Sequence, residues 1–345
     1  MKKFKIGAID LFCGVGGLTN GLQKSGIKVV AGIDLDPSCK YAFEKNNQSQ
    51  FINKSVEDVT GQEVNQLLKN YKIKMIVGCA PCQPFSNYQK DKKDRKSHKD
   101  WALLYQFARI VKEAKPNLIS MENVPALIKE QVFFDFISEL EDLGYFISYS
   151  IVNVADFGLA QNRKRLILLA SNLKKIELIE PTHSLKKVTV RDVIGHLEPI
   201  KAGDISSSDK LHQTSGLSEI NLKRIQISKP NGTWRDWPDE LLLKCHKKES
   251  GKTYGSVYGR MGWDGFAPTI TTQFNSYGTG RFGHPEQDRA LSLREGALLQ
   301  SFPLDYDFIY EGKFSLKSVA RHIGNAVPPR LGEVIGESIL KAYRK

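Results

Sequence analysis

The sequence contains no run of about 18 consecutive apolar residues, the length that a membrane-spanning helix requires. It also lacks internal repeats and low-complexity linkers. Its five cysteines, at positions 13, 39, 79, 82 and 245, are odd in number and irregularly spaced, which argues against a disulfide framework. The lysine-rich N-terminus carries Asp10 within its apolar stretch, so we interpret it as a buried strand rather than a signal peptide. These absences predict a cytoplasmic protein.

Acidic residues are outnumbered by basic ones. The 345 residues include 50 Lys and Arg against 38 Asp and Glu, a formal net charge of +12. Lysine and arginine neutralise phosphates and release their counterions, so this excess favours a nucleic acid as partner. The alternative is that the charge serves solubility alone.

The first 175 residues alternate between short apolar runs and helix-like segments. Apolar runs without polar alternation are typical of strands that are covered on both faces. Repeated strand–helix units predict an α/β fold with a doubly wound, mostly parallel sheet. The predicted strands are Ile6–Phe12, Val29–Asp34, Met75–Cys79, Leu118–Glu122 and Leu166–Ala170, and the predicted helices include Leu18–Lys24, Pro37–Lys45 and Phe133–Leu143.

The pattern changes after residue 175. Residues 176–288 are rich in Gly, Ser, Lys, Trp and Tyr, which predicts a smaller, mostly irregular or β domain. We assign residues 289–307 to a connecting hinge segment. Residues 308–345 are expected to complete the first domain, because the amphipathic helix Arg330–Tyr343 needs a partner for its apolar side.

A glycine-rich loop, Asp10–Gly17, follows the first strand and opens a helix. Glycine lets the backbone approach a ligand closely, and the start of a helix presents unpaired N–H groups. Asp34 ends the next strand, 20 residues after Gly14, a spacing that suits a carboxylate on ribose hydroxyls. The complete G-x-G-x-x-G pattern of dinucleotide sites is absent. We therefore predict a nucleoside-type ligand, against the alternative of a turn needed only for packing.

The segment Gly78–Ser86 (GCAPCQPFS) follows another strand, at the sheet edge where α/β proteins bind ligands. Cys82 lies between Pro81 and polar residues, which predicts an exposed cysteine. Cys79 and Cys82 also form a C-x-x-C pattern, typical of a redox pair or half a zinc site. The chain lacks the small size of a thioredoxin-like fold and a second ligand pair of suitable spacing, so we predict neither.

Three further segments carry charge. The basic loop Lys90–Lys99 is either a solvated surface loop or a lid that closes over a phosphate backbone. Glu122 ends a strand at the same sheet edge as Cys82, where a carboxylic acid can hydrogen-bond the ring nitrogen and exocyclic amine of a heterocycle. Arg163 and Arg165 are expected on one face of an extended strand, as a phosphate or carbonyl site or as edge protection.

In this order and spacing, the segments resemble the DNA cytosine-5 methyltransferase family of the bacterial restriction-modification type. The resemblance spans nearly the whole chain. It rests on Asp10–Gly17, Pro81–Gln83, Glu122–Val124, Gln161–Arg165, Arg289–Pro303 and Gly324–Pro329.

The resemblance implies a Rossmann-like sheet that binds S-adenosylmethionine (SAM), with S-adenosylhomocysteine as the product and no metal. It implies that Cys82 is a nucleophile toward C6 of a cytosine flipped out of double-stranded DNA. Glu122 would bind N3 and N4 of that base, and Arg163 and Arg165 would orient the catalytic loop and the base. The cofactor site would be formed by Phe12, Gly14, Gly16, Asp34, Leu35, Val56, Asn325 and Val327.

The resemblance places a target-recognition domain in residues 176–288. Within Tyr258–Arg281, glycine turns alternate with side chains that can bond base edges, although these glycines would also suit a small domain built around Trp263 and Phe266. We expect a monomer, with a restriction endonuclease acting on the same site as a further partner. The candidate DNA-binding residues are Gln83, Ser86, Lys90, Lys92, Lys93, Arg260, Gln273 and Arg281.

Three positions depart from the family pattern. Ser55 stands where the family commonly has an acidic residue near the adenine. Asp58 is the alternative candidate for that role. Ala160 replaces a proline, and Gly296 replaces a common alanine, which is expected to loosen a helix. No catalytic position is altered, so an active enzyme is expected.

Other functions remain as alternatives. They are a tRNA cytosine-5 methyltransferase on the same catalytic domain, a catalytically inactive DNA-binding regulator and a nicotinamide oxidoreductase. The length of residues 174–288 favours DNA over tRNA as the substrate, and the intact Cys82 and Glu122 argue against an inactive regulator.

Overall fold

The computed structural model describes residues 5–81, 99–311 and 314–344, without the side chains of 99–101 and 344. The chain forms two compact units. Unit 1 consists of Met1–Phe157, Lys164–Thr182 and Ala326–Lys345, and unit 2 consists of Gly158–Arg163 and His183–Asn325. Among the described residues, no helix has the length and hydropathy needed to cross a membrane.

Unit 1 is built around a seven-stranded sheet in the order β3-β2-β1-β4-β5-β7-β6. The first five strands are mutually parallel, and β7 runs antiparallel to both β5 and β6. The predicted doubly wound, mostly parallel sheet is therefore confirmed. The strands are β1 (Ile6–Leu11), β2 (Lys28–Asp34), β3 (Gln50–Asn53), β4 (Ile73–Gly78), β5 (Leu118–Asn123), β6 (Phe146–Asn153) and β7 (Lys164–Ser171).

The central strands are buried along their whole length, as their continuous apolar runs predict. Every residue of β1 and of β5 is buried, including the polar side chains of Asp10 and Glu122. Helices cover the sheet and connect its parallel strands. Those of the N-terminal part are α1 (Gly17–Ser25), α2 (Lys40–Asn46), α3 (Gly61–Leu67), α4 (Lys99–Ala114) and α5 (Gln131–Asp142).

The C-terminal helix packs against α1 within unit 1. We number it α10 (Pro329–Arg344), after the unit 2 helices α6 to α9. A Cβ atom on Gly21 would lie 1.9 Å from the carbonyl oxygen of Pro329, and one on Gly332 would lie 2.7 Å from that of Leu18. These two glycines thus allow the backbones of α1 and α10 to touch. The amphipathic pattern of Arg330–Tyr343 predicted this packing.

Unit 2 is irregular, as predicted, but its described residues contain isolated bridges rather than strands, for example between Arg260 and Gly283. Its core includes an aromatic cluster around Trp234, Trp237 and Tyr277. A composition rich in glycine and aromatic residues thus gave turns and short helices where we expected short strands. The helices are α6 (Val190–Ile194), α7 (Glu219–Ile227), α8 (Leu293–Leu299) and α9 (Leu316–Asn325).

The segment 308–325, which we expected to complete the first domain, clusters instead with unit 2. Only Ala326–Lys345 of the C-terminal part belongs to unit 1. A buried ion pair between Arg289 and Glu295, with nitrogen–oxygen distances of 2.7 and 2.8 Å, lies in the segment we assigned to a hinge. Both side chains are at most 1% exposed, so this part of the chain is core in unit 2.

Candidate active site

The loop that follows β1 takes an unusual backbone path. Phe12, Gly14 and Gly16 have φ values of 59°, 50° and 87°, in the left-handed region that favours glycine. A Cβ atom on Gly14 would have no neighbour within 4 Å, whereas one on Gly16 would lie 2.5 Å from Nδ2 of Asn47. Gly14 therefore borders open space at the carboxyl edge of the sheet, while Gly16 packs against Asn47 at the end of α2.

Asp34 fixes this loop from the end of β2. Its Oδ2 accepts a hydrogen bond of 2.8 Å from the Gly14 amide, and its Oδ1 accepts one of 2.9 Å from the Asp36 amide. The carboxylate is only half-buried, so its remaining lone pairs are available to a ligand. Leu35 beside it leaves 69% of its surface exposed. An anchored carboxylate next to an exposed apolar side chain is the arrangement expected for a ribose with an attached base.

The turn after β3 places Val56 in the core, 3% exposed. Ser55 caps this turn, since its hydroxyl accepts a hydrogen bond from the Glu57 amide. Asp58 is exposed. The serine that replaces the family's acidic residue thus has a local structural contact.

A second carboxylate lies buried below the glycine loop. Asp10 is 1% exposed, and its Oδ2 accepts a hydrogen bond of 2.7 Å from the Thr19 hydroxyl. Burial raises the pKa of Asp10 to about 7, although the Thr19 hydrogen bond opposes the shift; the nearby Asp34 charge raises it further.

Glu122 is the carboxylate at the carboxyl end of β5, and it is 2% exposed. Its Oε1 lies 2.9 Å from Nε of Arg165, which stands on the adjacent strand β7. Its Oε2 accepts a hydrogen bond of 2.8 Å from Sγ of Cys79. The next residue, Asn123, donates from Nδ2 to the Ala80 carbonyl oxygen at 3.2 Å. The ends of β4 and β5 are thereby tied together by side chains beyond their last ladder pair.

Arg163 and Arg165 do not share one extended strand, contrary to our expectation. β7 begins at Lys164, and Arg163 precedes it in unit 2. There Arg163 is 4% exposed and donates from Nη1 to the Ile270 carbonyl oxygen at 3.0 Å. Arg165 is thus the arginine that contacts the site carboxylate, and Arg163 is built into unit 2.

The segment Ala267–Ile270 is scaffold for the Gln161–Arg163 segment. Ala267 exchanges backbone hydrogen bonds with Ala160 and Asn162, both within 2.9 Å. The side chain of Gln161, fully buried, accepts from the Ile270 amide at 3.0 Å. Part of the stretch Tyr258–Arg281, where we expected base-reading residues, therefore supports the Gln161–Arg163 segment within unit 2 instead.

Arg260 is not placed to read DNA, because its guanidinium is used inside unit 2. It is 5% exposed and donates to the carbonyl oxygens of Ile225 and His284, at 2.7 and 3.1 Å. It also pairs with Asp288 at 2.5 Å. By contrast, Gln273 is exposed and Arg281 is half-buried. The other candidates for DNA contact, Gln83, Ser86, Lys90, Lys92 and Lys93, lie outside the described residues, as does Cys82.

The two C-terminal cofactor candidates fall in different units. Asn325 is the last residue of α9 in unit 2 and is exposed, whereas Val327 belongs to unit 1 and is 7% exposed. Sequence reasoning missed two residues near the candidate site residues. Cys79 was considered only as a partner of Cys82, and Gln300, which bonds Gln161, was not considered. For Cys79, the signal available was its place one residue beyond the end of a predicted strand.

Comparison with known proteins assigns the chain to a family. The family model for C-5 cytosine-specific DNA methylases matches residues 6–341. The Type II methylase M.HgiDII of Herpetosiphon aurantiacus is 56% identical over 96% of this chain and 94% of that protein. The Type II methyltransferase M1.HphI of Haemophilus parahaemolyticus is 30% identical over 96% and 86% of the two chains.

Solved structures support the same fold. A prophage-encoded protein of E. coli, described as a DNA modification methyltransferase, superposes with a TM-score of 0.74 at 22% identity and covers 99% of this chain and all of that one. The Dnmt2 methyltransferase of S. pombe gives a TM-score of 0.62 at 15% identity, over 98% of this chain and 99% of that one. The fold is thus that of the DNA methyltransferases. The chain belongs to the C-5 cytosine-specific DNA methylase family and is a DNA (cytosine-5)-methyltransferase of the Type II restriction-modification class.

Proposed function

We propose that the chain transfers a methyl group from SAM to C5 of a cytosine flipped out of duplex DNA, through a covalent bond between Cys82 and C6. The observation that carries the proposal is Glu122, a buried carboxylate held between Arg165 and Cys79 at the ligand-binding edge of the sheet. Cys82 follows Pro81, which is exposed and lies three residues beyond the end of β4. Because β4 and β5 are adjacent, the segment that leads to Cys82 starts beside Glu122.

The chemistry requires both groups. C5 of cytosine is a poor nucleophile until a thiolate adds to C6, which moves electron density toward N3 and C5. A hydrogen bond or proton from Glu122 at N3 offsets the charge that develops there. C5 then takes the methyl group, a base removes the C5 proton, and the thiolate leaves as the C5–C6 double bond reforms. A stacked base is out of reach for such groups, so the cytosine must be extruded, at about a few kcal/mol.

The residues after β1 and β2 fit SAM. Gly14 borders open space, Asp34 holds the loop and keeps acceptor capacity for ribose hydroxyls, and Leu35 offers an exposed apolar surface to the adenine. When bound there, SAM supplies an electrophilic methyl group. Phe12, Gly16, Val56 and Val327, which all belong to unit 1, complete this part of the proposed site, and a contribution of Asn325 stays a prediction.

The assay is transfer of tritium from labelled SAM to plasmid DNA prepared without cytosine methylation, compared with transfer to tRNA. Label on DNA supports the proposal, label on tRNA alone supports an RNA methyltransferase, and binding of DNA without any transfer supports an inactive regulator. Cys82→Ser should abolish transfer, whereas Cys245→Ser, the same change at an exposed cysteine of unit 2, should not.

The covalent step has its own test. Duplex DNA that contains 5-fluorocytosine should trap the wild-type protein, because fluorine at C5 cannot leave as a proton does. Cys82→Ser should form no such adduct, and an adduct in that variant would show that another residue is the nucleophile.

Base recognition is proposed for Gln273 and Arg281, since Arg260 is buried. Loss of a base contact should cost about 1–3 kcal/mol and relax one position of the site, whereas loss of a phosphate contact should weaken all sequences alike. Bisulfite mapping of DNA methylated by Gln273→Ala and Arg281→Ala distinguishes these outcomes. An unchanged site pattern in both variants would place recognition elsewhere in unit 2.

The basic residues of the loop Lys90–Lys99, with Gln83 and Ser86, are proposed to contact the DNA backbone and bases near the target. Proteolysis within the loop should then be suppressed by cognate DNA plus S-adenosylhomocysteine. A monomeric cytoplasmic enzyme with a companion restriction endonuclease also stays a prediction. Sedimentation tests the monomer, and an endonuclease activity of the source cells that cleaves unmethylated but not methylated DNA tests the partner.

A further inference from the structure

Cys79 stands directly beside Glu122 because the register of the sheet continues past its last ladder pair. In the parallel ladder of β4 and β5, Gly78 is opposite Met121. The next two positions meet through hydrogen bonds, from the Cys79 thiol to Glu122 at 2.8 Å and from the Asn123 amide to the Ala80 carbonyl oxygen at 3.2 Å. The thiol therefore reaches the carboxylate as a consequence of strand register, and the contact does not depend on the loop that follows.

The two oxygens of Glu122 have partners of different kinds. Oε1 lies 2.9 Å from Nε of Arg165 in an ion pair without hydrogen-bond geometry, and the Arg165 side chain is 14% exposed. Oε2 accepts a hydrogen bond from the Cys79 thiol. Among the described residues, this thiol is thus the hydrogen-bond donor that fixes the orientation of the carboxyl group, and Oε2 keeps a lone pair for a second donor.

We propose that Cys79 is a positioning residue, whose thiol holds Oε2 of Glu122 and so keeps the carboxyl group oriented toward the entering cytosine. The inference rests on the proposed function, in which Glu122 binds N3 and the exocyclic amine of the base. Arg165 holds the other carboxyl oxygen by its charge. Cys79 takes no part in bond formation.

Three substitutions separate hydrogen bonding from packing. Cys79→Ser keeps a donor, Cys79→Val keeps about the same volume without a donor, and Cys79→Ala removes both. If the thiol positions Glu122, the Val and Ala variants should lose roughly 3- to 10-fold in single-turnover methylation of plasmid DNA, the fold-change that corresponds to one ordinary hydrogen bond. The Ser variant should stay within about threefold of wild type, because its hydroxyl keeps a hydrogen-bond donor for Glu122.

The rank order of the methylation rates of the Ser and Val variants provides a readout that distinguishes hydrogen bonding from packing. Packing favours the valine variant, which keeps the volume of cysteine, whereas hydrogen bonding favours the serine variant, which keeps a donor. Cys79→Ser should therefore be faster than Cys79→Val, and Cys245→Ala, which removes a thiol in unit 2, should keep the wild-type rate.

The outcomes separate this inference from the function on which it rests. An active wild type whose Val variant keeps its rate would overturn the positioning role. A Ser variant that is as slow as the Val variant, or slower, would show a packing role and would also overturn it. A wild type that methylates no DNA would instead contradict the proposed function.

Discussion

Glu122 is the single residue whose replacement has the most direct chemical consequence. Glu122→Gln keeps the shape of the side chain but cannot supply a proton to N3. Acid–base contributions are typically worth about 100- to 10,000-fold, so single-turnover methylation should fall within that range. Glu57→Gln, an exposed glutamate of the same unit, serves as control. Rates within about a factor of two of wild type, far below that range, would remove Glu122 from the mechanism.

Asp10 predicts a dependence of stability on pH. Its pKa in the folded protein is about 7, against 3.8 for an ordinary aspartate, because burial disfavours the carboxylate. Between these values the unfolded chain has lost the proton and the folded chain keeps it, so the free energy of unfolding falls as pH rises. The limiting slope is about 1.4 kcal/mol per pH unit, and the loss ends above pH 7.

Asp10→Asn should remove this dependence, since the amide does not titrate. Urea unfolding of wild type and variant at pH 5, 6 and 8 measures it, with Asp58→Asn as the exposed control. If the free energy of unfolding changed with pH in the same way in wild type and in Asp10→Asn, Asp10 would be shown to titrate normally.

Between elements, the buried amides of Gln161 and Gln300 join the Gln161–Arg163 segment to α8 and α9. Nε2 of Gln161 donates to Oε1 of Gln300 at 2.8 Å and to the Leu299 carbonyl oxygen at 3.0 Å. Nε2 of Gln300 donates in turn to the carbonyl oxygen of Ile323, two residues before α9 ends. Both side chains are fully buried, so the pair links the position of the Gln161–Arg163 segment to that of α9.

Gln300→Leu should destabilise unit 2 by about 1–3 kcal/mol, because it leaves a buried amide and a buried carbonyl without these partners. Gln300→Glu keeps the acceptor for Gln161 and should retain more activity than the leucine variant. Lys317→Ala, at an exposed position of α9, is the control. Urea unfolding and methylation rates of the three variants measure the effect, and a leucine variant as stable as wild type would contradict it.

The strands that sequence patterns located and those that they missed differ in one physical respect. Continuous apolar runs located β1, β2, β4, β5 and β7, which occupy the middle of the sheet. The missed strands, β3 and β6, are its two edges. An edge strand is partly exposed and therefore mixes polar and apolar residues, as the exposed positions of β6 show. The pattern of a fully buried strand does not describe it.

For the site, motifs located Glu122, Asp34 and the glycine loop, because these follow strands directly. They did not reveal the contact of Cys79 with Glu122, which depends on how β4 and β5 align. They also misplaced Arg260. An arginine among glycines is expected to be exposed, but here its guanidinium donates to buried carbonyl oxygens. Long-range partners of this kind leave no local signal in a single sequence.

For the whole molecule, the two units should respond to acid differently. Burial lowers the pKa of His284 in unit 2 to about 4, with the charges of Arg289 and Arg260 and the ring of His212 acting in the same direction and Glu295 opposing them. Its Nδ1 accepts hydrogen bonds from the amides of Glu286 and Gln287, as a neutral ring can. Between pH 6.5 and 4, His284 is protonated in the unfolded chain but stays neutral in the folded chain.

Unit 2 should therefore lose stability as pH falls from 6.5 to 4. Over the same range, the protonation of Asp10 stabilises unit 1. Hydrogen exchange followed by mass spectrometry at pH 7 and 5, corrected for the intrinsic exchange rate, should show protection lost first in unit 2. His284→Asn should weaken this response. Equal loss of protection in both units would contradict the assignment.

The contact between α1 and α10 also determines the order in which the protein can fold during synthesis. The first turn of α10 lies against Gly21 of α1, yet the ribosome makes these segments more than 300 residues apart. Until α10 emerges, α1 lacks the partner that it has in the folded protein, and the whole of unit 2 is translated in the meantime. A nascent chain thus carries an incomplete unit 1 until Pro329–Arg344 has been made, and α1 is available to a chaperone for all of that time.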